Sequence, residues 1–485
     1  MKRKKCFLVC VVLSLVLMFS ACATFNKSYT SNVAQQGQMV QQGRVDDVVQ
    51  KLEVKARKGG RDGVLNALSA GYYYLSMQDY DNSRELFKIA EDQIEQYEER
   101  AKVNARDIAA NAKAAVTSDM ELPYKGEMFE KVMVNTMLTM NYLFKKDLQE
   151  ANVEVRRAEI RQKEAIDKHQ GELEKIEKQK KEKNIDDKSL NSIYANYSVL
   201  DEFSSKVINS FQNGFTYYLG GLVYELDNKP DDAYQDYYKS FSLYKNKYTL
   251  KKLIELSQEL KMQTEYEQWV NMYKDLFNEE VQKQDPGPKP RNANAELVVV
   301  YFCGNVPQKT QAKFSLWLPQ KSFNVAFPFY DKNNLYINDG CLEINQNGET
   351  LGKTEMVLDF VPIVITALKE KLPGMIVRQI IRLITKNKIE KTAAKKIGFM
   401  GQIAAKIFNT VSERADLRGW YELPGNIQIF RAKIEAGPST IALKETSSQG
   451  ETWQNDIKLE VPEKGTALVL VHQLFSKKIA HSVVL

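Results

Sequence analysis

The chain has 485 residues, 43% of them hydrophobic and 27% charged, with a formal net charge of +6. That length exceeds what one hydrophobic core organises, so two or three domains are expected. Lys2, Arg3, Lys4 and Lys5 supply four units of that net charge; without them the chain is near neutral and lacks the basic surplus that nucleic acid demands.

Cys6 to Phe19 is apolar apart from Ser14. A basic start followed by an apolar run of this length reads as a signal peptide over 1–21, since a bilayer needs about 20 apolar residues. A retained transmembrane anchor is the weaker reading for the same reason. The run ends in Phe19-Ser20-Ala21-Cys22. Small residues before a cysteine resemble the lipobox of bacterial lipoproteins, although Phe19 stands where leucine is usual. The resemblance implies cleavage before Cys22 and acyl (palmitate-type) chains on its thiol, firm enough to hold the protein at a membrane. Cleavage after Ala21-Cys22-Ala23, an A-x-A-like site, is the rival reading, and it also exports the protein.

Residues 22–44 are polar and read as a flexible tether. From 45 to 284 the apolar residues recur at three- and four-residue spacing with few prolines, which predicts helices. Gly71, Tyr74, Ser83, Phe87 and Ala90 stand at offsets 0, 3, 12, 16 and 19. Thr139, Tyr142, Ala151, Val155 and Ala158 repeat those offsets, as do Gly221, Tyr224, Ala233, Tyr237 and Ser240. Small, aromatic, small, large, small resembles the tetratricopeptide (TPR) pattern, because two antiparallel helices approach closely only where a small residue faces a large one. The copies start 68 and 82 residues apart, so further helices are interleaved. The charged stretch from Lys163 to Lys188 reads as a solvated hairpin or arm, with a coiled-coil partner site as the sharper alternative. The lysine and asparagine that many TPR proteins use to clamp a carboxylate are absent; Tyr72, Met140, Tyr218 and Leu222 stand at such positions. They line an apolar groove, or are buried by the interleaved helices; burial is the favoured reading.

Pro286, Pro288 and Pro290 mark a linker over 285–295. Residues 296–485 then read as a β domain, with strands at Glu296–Phe302, Lys313–Trp317, Phe323–Phe327, Ile427–Ile434, Thr440–Lys444, Ile457–Val461, Ala467–Val471 and Lys478–Val484. A helical insertion at about 355–412 interrupts it, itself broken at Pro373-Gly374. The predicted fold is thus α+β and multidomain: a TPR-like helical repeat domain, then a β-sandwich or barrel-like domain. Cys303 and Cys341 are either a disulfide of an oxidising compartment or two buried thiols.

Only His169, His472 and His481 occur, with no metal-ligand spacing, and there is no P-loop, G-x-S-x-G or G-x-G-x-x-G. Asp231-Asp232 read as helix-start residues. Asp416, Arg418 and Trp420 form a local constellation, either a structural plug or a partner contact. Met375 to Lys396 carries seven basic residues and one acid. Arg378, Arg382 and Lys386 make one stripe there, which reads first as a core helix paired with acids elsewhere, and second as a contact for anionic lipid or an acidic partner.

Leu297-Val298-Val299-Val300-Tyr301 with Gly304-Asn305-Val306-Pro307-Gln308-Lys309, Val325-Ala326-Phe327-Pro328-Phe329-Tyr330 and Glu413-Arg414-Ala415-Asp416-Leu417-Arg418-Gly419-Trp420 resemble a poorly characterised family of bacterial TPR-containing lipoproteins. The resemblance implies envelope assembly, some members being encoded near lipoprotein activators of peptidoglycan synthases. The expectation is a non-enzymatic, lipid-anchored envelope scaffold that binds protein, without cofactor, metal, small-molecule substrate or nucleic acid. Ala23, where an inner-membrane lipoprotein often carries aspartate, points to the outer membrane in a two-membrane cell. A glycan-binding β domain is the alternative, and an unrecognised hydrolase the third reading.

Overall fold

The structure, a computed structural model, describes residues 28–104, 119–183, 185, 187–278, 294–318, 321–335, 340–397, 414–446 and 452–485. The leader, Cys22, the proline-rich linker and the end of the helical insertion lie outside the described residues. Twelve helices precede the first described strand, and a sheet-rich half follows. The fold is α+β.

The first difference from expectation comes at once. Where a flexible tether was expected, Tyr29–Gln41 is a helix, α1, capped by the Ser28 hydroxyl, which accepts from the Ser31 amide. Val33, Gly37 and Val40 form a narrow buried stripe. Three residues at helical spacing are enough to dock a polar helix against a larger body.

Helices α2 (Val45–Lys58), α3 (Gly63–Ser76) and α4 (Tyr80–Asn104) follow. After the short turn of 3-10 helix Asp119–Glu121 come α5 (Met128–Phe144) and α6 (Leu148–Lys183). Then come α7 (Asp187–Tyr197), the single turn α8 (Asp201–Ser204), α9 (Gly214–Leu226), α10 (Pro230–Leu243), α11 (Lys247–Glu259) and α12 (Gln263–Phe277). Pairs α3–α4, α5–α6, α9–α10 and α11–α12 are hairpins. Each turns on a residue of left-handed backbone: Gln78 (φ 66°), Lys146 (59°), Asn228 (55°) and Lys261 (59°). In each, the next amide reaches back five residues, Asp79 to Tyr74, Asp147 to Tyr142, Lys229 to Tyr224 and Met262 to Ser257, which closes the helix end. The first three turns repeat the sequence spacing; the fourth belongs to a hairpin that the residue pattern does not reveal. Pro230 opens α10 with Asp231 and Asp232 in its first turn, where fixed φ and negative charge both favour a helix start.

The expected small-to-large contacts form. A methyl group on Gly71 would sit 3.1 Å from the Phe87 ring, and one on Gly221 2.8 Å from Tyr237. Ser83 donates to the Gly71 carbonyl (2.8 Å) and Ser240 to that of Gly214 (2.8 Å). Ala90, Ala151, Ala158 and Ala233 are buried at the same seams. Tyr74 donates outward to Glu53 (2.6 Å). The charged stretch after Lys163 continues α6 as one long arm rather than a hairpin of its own.

The sheet-rich half has three pieces. Strands β1 (Ala295–Cys303), β6 (Glu355–Asp359), β7 (Asn426–Ile434), β10 (Thr466–Leu474) and β11 (Lys477–Val484) form a five-stranded sheet in the order β11-β10-β1-β7-β6. β1 runs parallel to β10, with Val299 opposite Val469, and antiparallel to β7. Strands β4 (Glu343–Gln346), β5 (Glu349–Lys353), β8 (Gly437–Thr446) and β9 (Thr452–Val461) form a second sheet, and β2 (Thr310–Leu318) with β3 (Lys321–Phe329) a separate hairpin. All nine residues of β1 are buried. Its even residues meet the helices, as Phe302 does with Tyr72 (6.4 Å) and Phe215 (5.8 Å). Its odd residues meet the second sheet, as Tyr301 does by donating to Glu445 (3.1 Å). A strand covered on both faces reads as an unbroken apolar run.

The helical insertion is a single helix, α13 (Phe360–Ile397), with Pro373 inside it. The expected break at Pro373-Gly374 does not occur, and the missing side chain of Gly374 lets the arm's Ile176 pack within 3.2 Å of its Cβ position. Cys303 and Cys341 are not disulfide-bonded. The Cys303 thiol is buried facing Gln473 (3.5 Å) and the Gly340 carbonyl, and burial raises it to about 11.

Candidate functional site

The inner face of the helical array is covered by the chain's own sheet. Tyr72 and Tyr218 are fully buried. Tyr72 packs against Phe302 of β1, His472 of β10 (5.5 Å) and, edge-on, Trp420 (6.3 Å). Tyr218 lies beside Tyr237 (5.4 Å), beneath Arg431 of β7, whose guanidinium binds Tyr237 (2.6 Å), Glu225 (2.8 Å) and Glu296 (2.5 Å). Both tyrosines are closed off from solvent, and the covering element is the sheet, not an interleaved helix. Met140 and Leu222 are buried as well. Tyr142 and Tyr224 face the outer side of their hairpins, Tyr142 beneath Arg84 (5.7 Å) and Lys88 (5.9 Å).

The constellation at 416–420 fastens this seam. Arg418 is 5% exposed and spends its guanidinium on Asp416 (2.6 Å), Asp62 (3.1 Å) and the carbonyls of Arg61, Asp119 and Leu122. Burial opposes its charge, and Asp416 and Asp62 outweigh that and hold it protonated. Trp420 is buried against Phe87 (5.8 Å), and its amide donates to Glu130 (2.7 Å). These residues are spent on contacts within the joint. Arg382, 6% exposed, pairs with Asp119 (2.9 Å), and Arg378 stands 3.8 Å from the same carboxylate; the Lys386 side chain lies outside the described residues.

Acids and histidines invisible as a group in the sequence converge here. Glu127 and Glu130 open α5 as a reciprocal capping box, in which each side chain satisfies an amide of the helix start. Burial and then the neighbouring Glu127 raise the Glu130 carboxyl. Burial also works against Glu127, but Lys371 and Lys309 outweigh it and hold it down at about 2. Glu422 accepts from Ser69 (2.7 Å) across the seam, and burial lifts its carboxyl to about 7. Farther along, His481 contacts Tyr80 through Nδ1 (2.7 Å) and His472 through Nε2 (3.1 Å). Two imidazole nitrogens at that distance share one proton. His472 Nδ1 is buried without a partner. A bare lone pair there is cheaper than an orphaned N–H, which places the shared proton on His472. Burial holds His481 down at about 4; burial and then His481 hold His472 still lower than its ordinary value.

The open concavity at this joint is a cleft of about 590 Å³ between α4, α5, α6 and α13. Glu127 forms its floor, ion-paired to Lys371 and 3.6 Å from Lys309. Lys131 pairs with Glu98 (2.5 Å) and Lys168 with the same acid (3.4 Å). Glu370 accepts from Ser210 at its rim. His169 lines the cleft, while Glu130 and Glu422 do not: the two carboxyls with raised protonation are sealed from it. The cleft therefore offers paired charges of both signs. Among the described residues no group of three or more His, Cys, Asp or Glu could hold a metal, and no helix is long and apolar enough to cross a membrane.

The capping box, Glu127-Met128-Phe129-Glu130, was the one signal in the sequence that could have marked the cleft floor. Comparison with known protein families, curated proteins and solved structures finds no match to this chain.

Proposed function

We propose that the protein is a lipid-anchored scaffold of the bacterial cell envelope, non-enzymatic, with the lipid on Cys22 and with protein as its partner. In this reading the three spaced hairpins are TPR-like repeats opened by inserted helices, and the two stacked sheets are a sandwich-like layer. The observation that supports it most is the occupation of the array's inner face by the chain's own sheet. That contact joins both halves into one body, and it supports a reading in which a partner binds on the outer surface rather than in the usual groove. There the charged cleft between α4–α6 and α13 suits a polar protein segment, since an interface rim of paired charges confers specificity more than affinity.

The test is crosslinking and affinity purification of the tagged protein from its own host, beside a Cys22→Ser variant and a Lys168→Glu/Lys175→Glu variant of the cleft. Enrichment of one envelope protein, weakened in both variants, supports the reading. Retention on purified cell wall with no protein enriched overturns it in favour of a glycan-binding β half.

A further inference from the structure

We infer that the cleft between α4, α5, α6 and α13 takes a carboxylate-rich segment of the protein partner, seated on Lys168 and Lys371; this deepens, and rests on, the protein-binding reading above. Counted around the whole lining, the charges balance: five lysines stand against Glu98, Glu127, Asp167, Glu172 and Glu370. Counted by depth, they do not. Only Glu98 and Glu127 serve the floor, and both are shared. Glu98 holds Lys131 (2.5 Å) and Lys168 (3.4 Å). Glu127 holds Lys371, and Lys309 stands behind it at 3.6 Å. Three lining ammoniums thus share two carboxylates, and a fourth draws on the second of them. Lys131, Lys309 and Glu127 are nearly buried, so solvent does little to make up the shortage of negative charge.

The floor groups respond as a positive field requires. Burial works against both acids, yet the flanking ammoniums hold Glu98 and Glu127 down at about 2. Lys131 is lowered as well: burial acts first and, against the pull of Glu98, Lys371 and Lys168 add their repulsion. A carboxylate entering between these ammoniums relieves that repulsion. Lys168 and Lys371 are free to turn toward it, with 45% and 44% of their side chains exposed. The acids of the rim do not cancel the floor. Asp167 and Glu172 are exposed and screened by water, and Glu370 is engaged by the amide (3.3 Å) and hydroxyl of Ser210. Ammoniums on long stems lack the rigid fork of arginine, which suits several mobile acidic side chains better than one fixed anion. The volume, about 590 Å³, lies within the roughly 300–1,000 Å³ of clefts that hold a ligand.

The experiment follows the fluorescence anisotropy of a labelled hexaglutamate peptide on addition of the purified protein, beside a hexaglutamine peptide. The expected result is binding of hexaglutamate alone, weakening as salt is added. Lys168→Gln with Lys371→Gln should weaken it about tenfold, the worth of two half-exposed ion pairs, with the thermal midpoint little changed. Lys168→Arg with Lys371→Arg should retain binding, which separates charge from any loss of fold. Lys51→Gln with Lys55→Gln on α2, away from the cleft, should leave it unchanged. Equal binding of the two peptides overturns the inference, as does an equal loss in the α2 variant, which would mean diffuse attraction to surface lysines. Displacement of the peptide by inorganic phosphate at constant ionic strength also overturns it and gives the cleft to a small oxyanion. The protein-partner reading is judged separately, by purification from the host. Enrichment of no envelope protein, with hexaglutamate still bound through Lys168 and Lys371, would sink that reading and leave the acid-binding cleft standing.

Discussion

Replacing His472 and His481 together by phenylalanine should remove an acid sensitivity built into the joint between the helices and the sheet. His481 stacks on Phe144 (4.5 Å) and Tyr80, and His472 lies edge-on to Phe302 (5.3 Å), so phenyl rings preserve the packing. Both imidazoles are held neutral in the fold, while an unfolded histidine takes up a proton near 6.5. Below that value the unfolded chain binds more protons than the native one, so stability falls as the pH falls. His481 stays neutral down to about 4. Each pH unit below 6.5 therefore costs about 1.4 kcal/mol, or about 2 kcal/mol between pH 7 and pH 5. His472 adds to this in the same direction. Urea unfolding followed by circular dichroism at the two pH values measures it. The native chain should lose at least about 2 kcal/mol more than the double variant; acids common to both chains cancel in the difference. Identical pH dependence of the two proteins would refute the reasoning.

Glu422→Gln should act with the opposite sign. Its carboxyl, raised from 4.5 to about 7 by burial, destabilises the fold increasingly as the pH rises through that range, so the native chain should lose about 2.5 kcal/mol relative to the variant between pH 5 and pH 8, read by the same titration. Gly221→Ala and Gly71→Ala should each cost about 1–3 kcal/mol by overpacking, Gly221 the more because its ring contact is the tighter (2.8 against 3.1 Å); thermal unfolding midpoints decide the order. Arg418→Met should cost about 3–5 kcal/mol, since it strands Asp416 and three carbonyls; a midpoint within a degree or two of native would show that the clamp is not structural.

The helical hairpins were legible because close helix contact imposes a small residue opposite a large one, and Gly71 with Phe87 and Gly221 with Tyr237 carry that constraint in plain spacing. The α11–α12 hairpin escaped because Ile254, Tyr266 and Tyr273 stand where small and large residues alternate in the others, and its kinship lies in the backbone at Lys261. Eight strands were legible as apolar or alternating runs, but the short β4, β5 and β6 were not, β6 falling where the helical insertion was expected to begin, and neither was the partner of β1. Val299 meets Val469 across most of the sheet-rich half, and nothing local encodes a pairing so distant. Helix α1 was hidden by its polar composition, since only Val33, Gly37 and Val40 are buried. The cleft draws Glu127, Lys309 and Lys371 from three segments, so no motif could announce it.

The parallel pairing of β1 with β10 also sets the order of events when the chain is made. The inner face of the helical array, Tyr72, Phe215 and Tyr218 included, is apolar or aromatic and closes only on β1, β7 and β10. β10 and β11 emerge after every other described element, and Phe475, the residue that seats α1, lies between them. A chain delivered amino terminus first holds a broad sticky surface open until β10 and β11 arrive, the condition in which intermediates associate wrongly. Successful biogenesis therefore depends on keeping the helical half shielded through the whole of its delivery, and a truncation near the carboxyl terminus should be as damaging as one in the core.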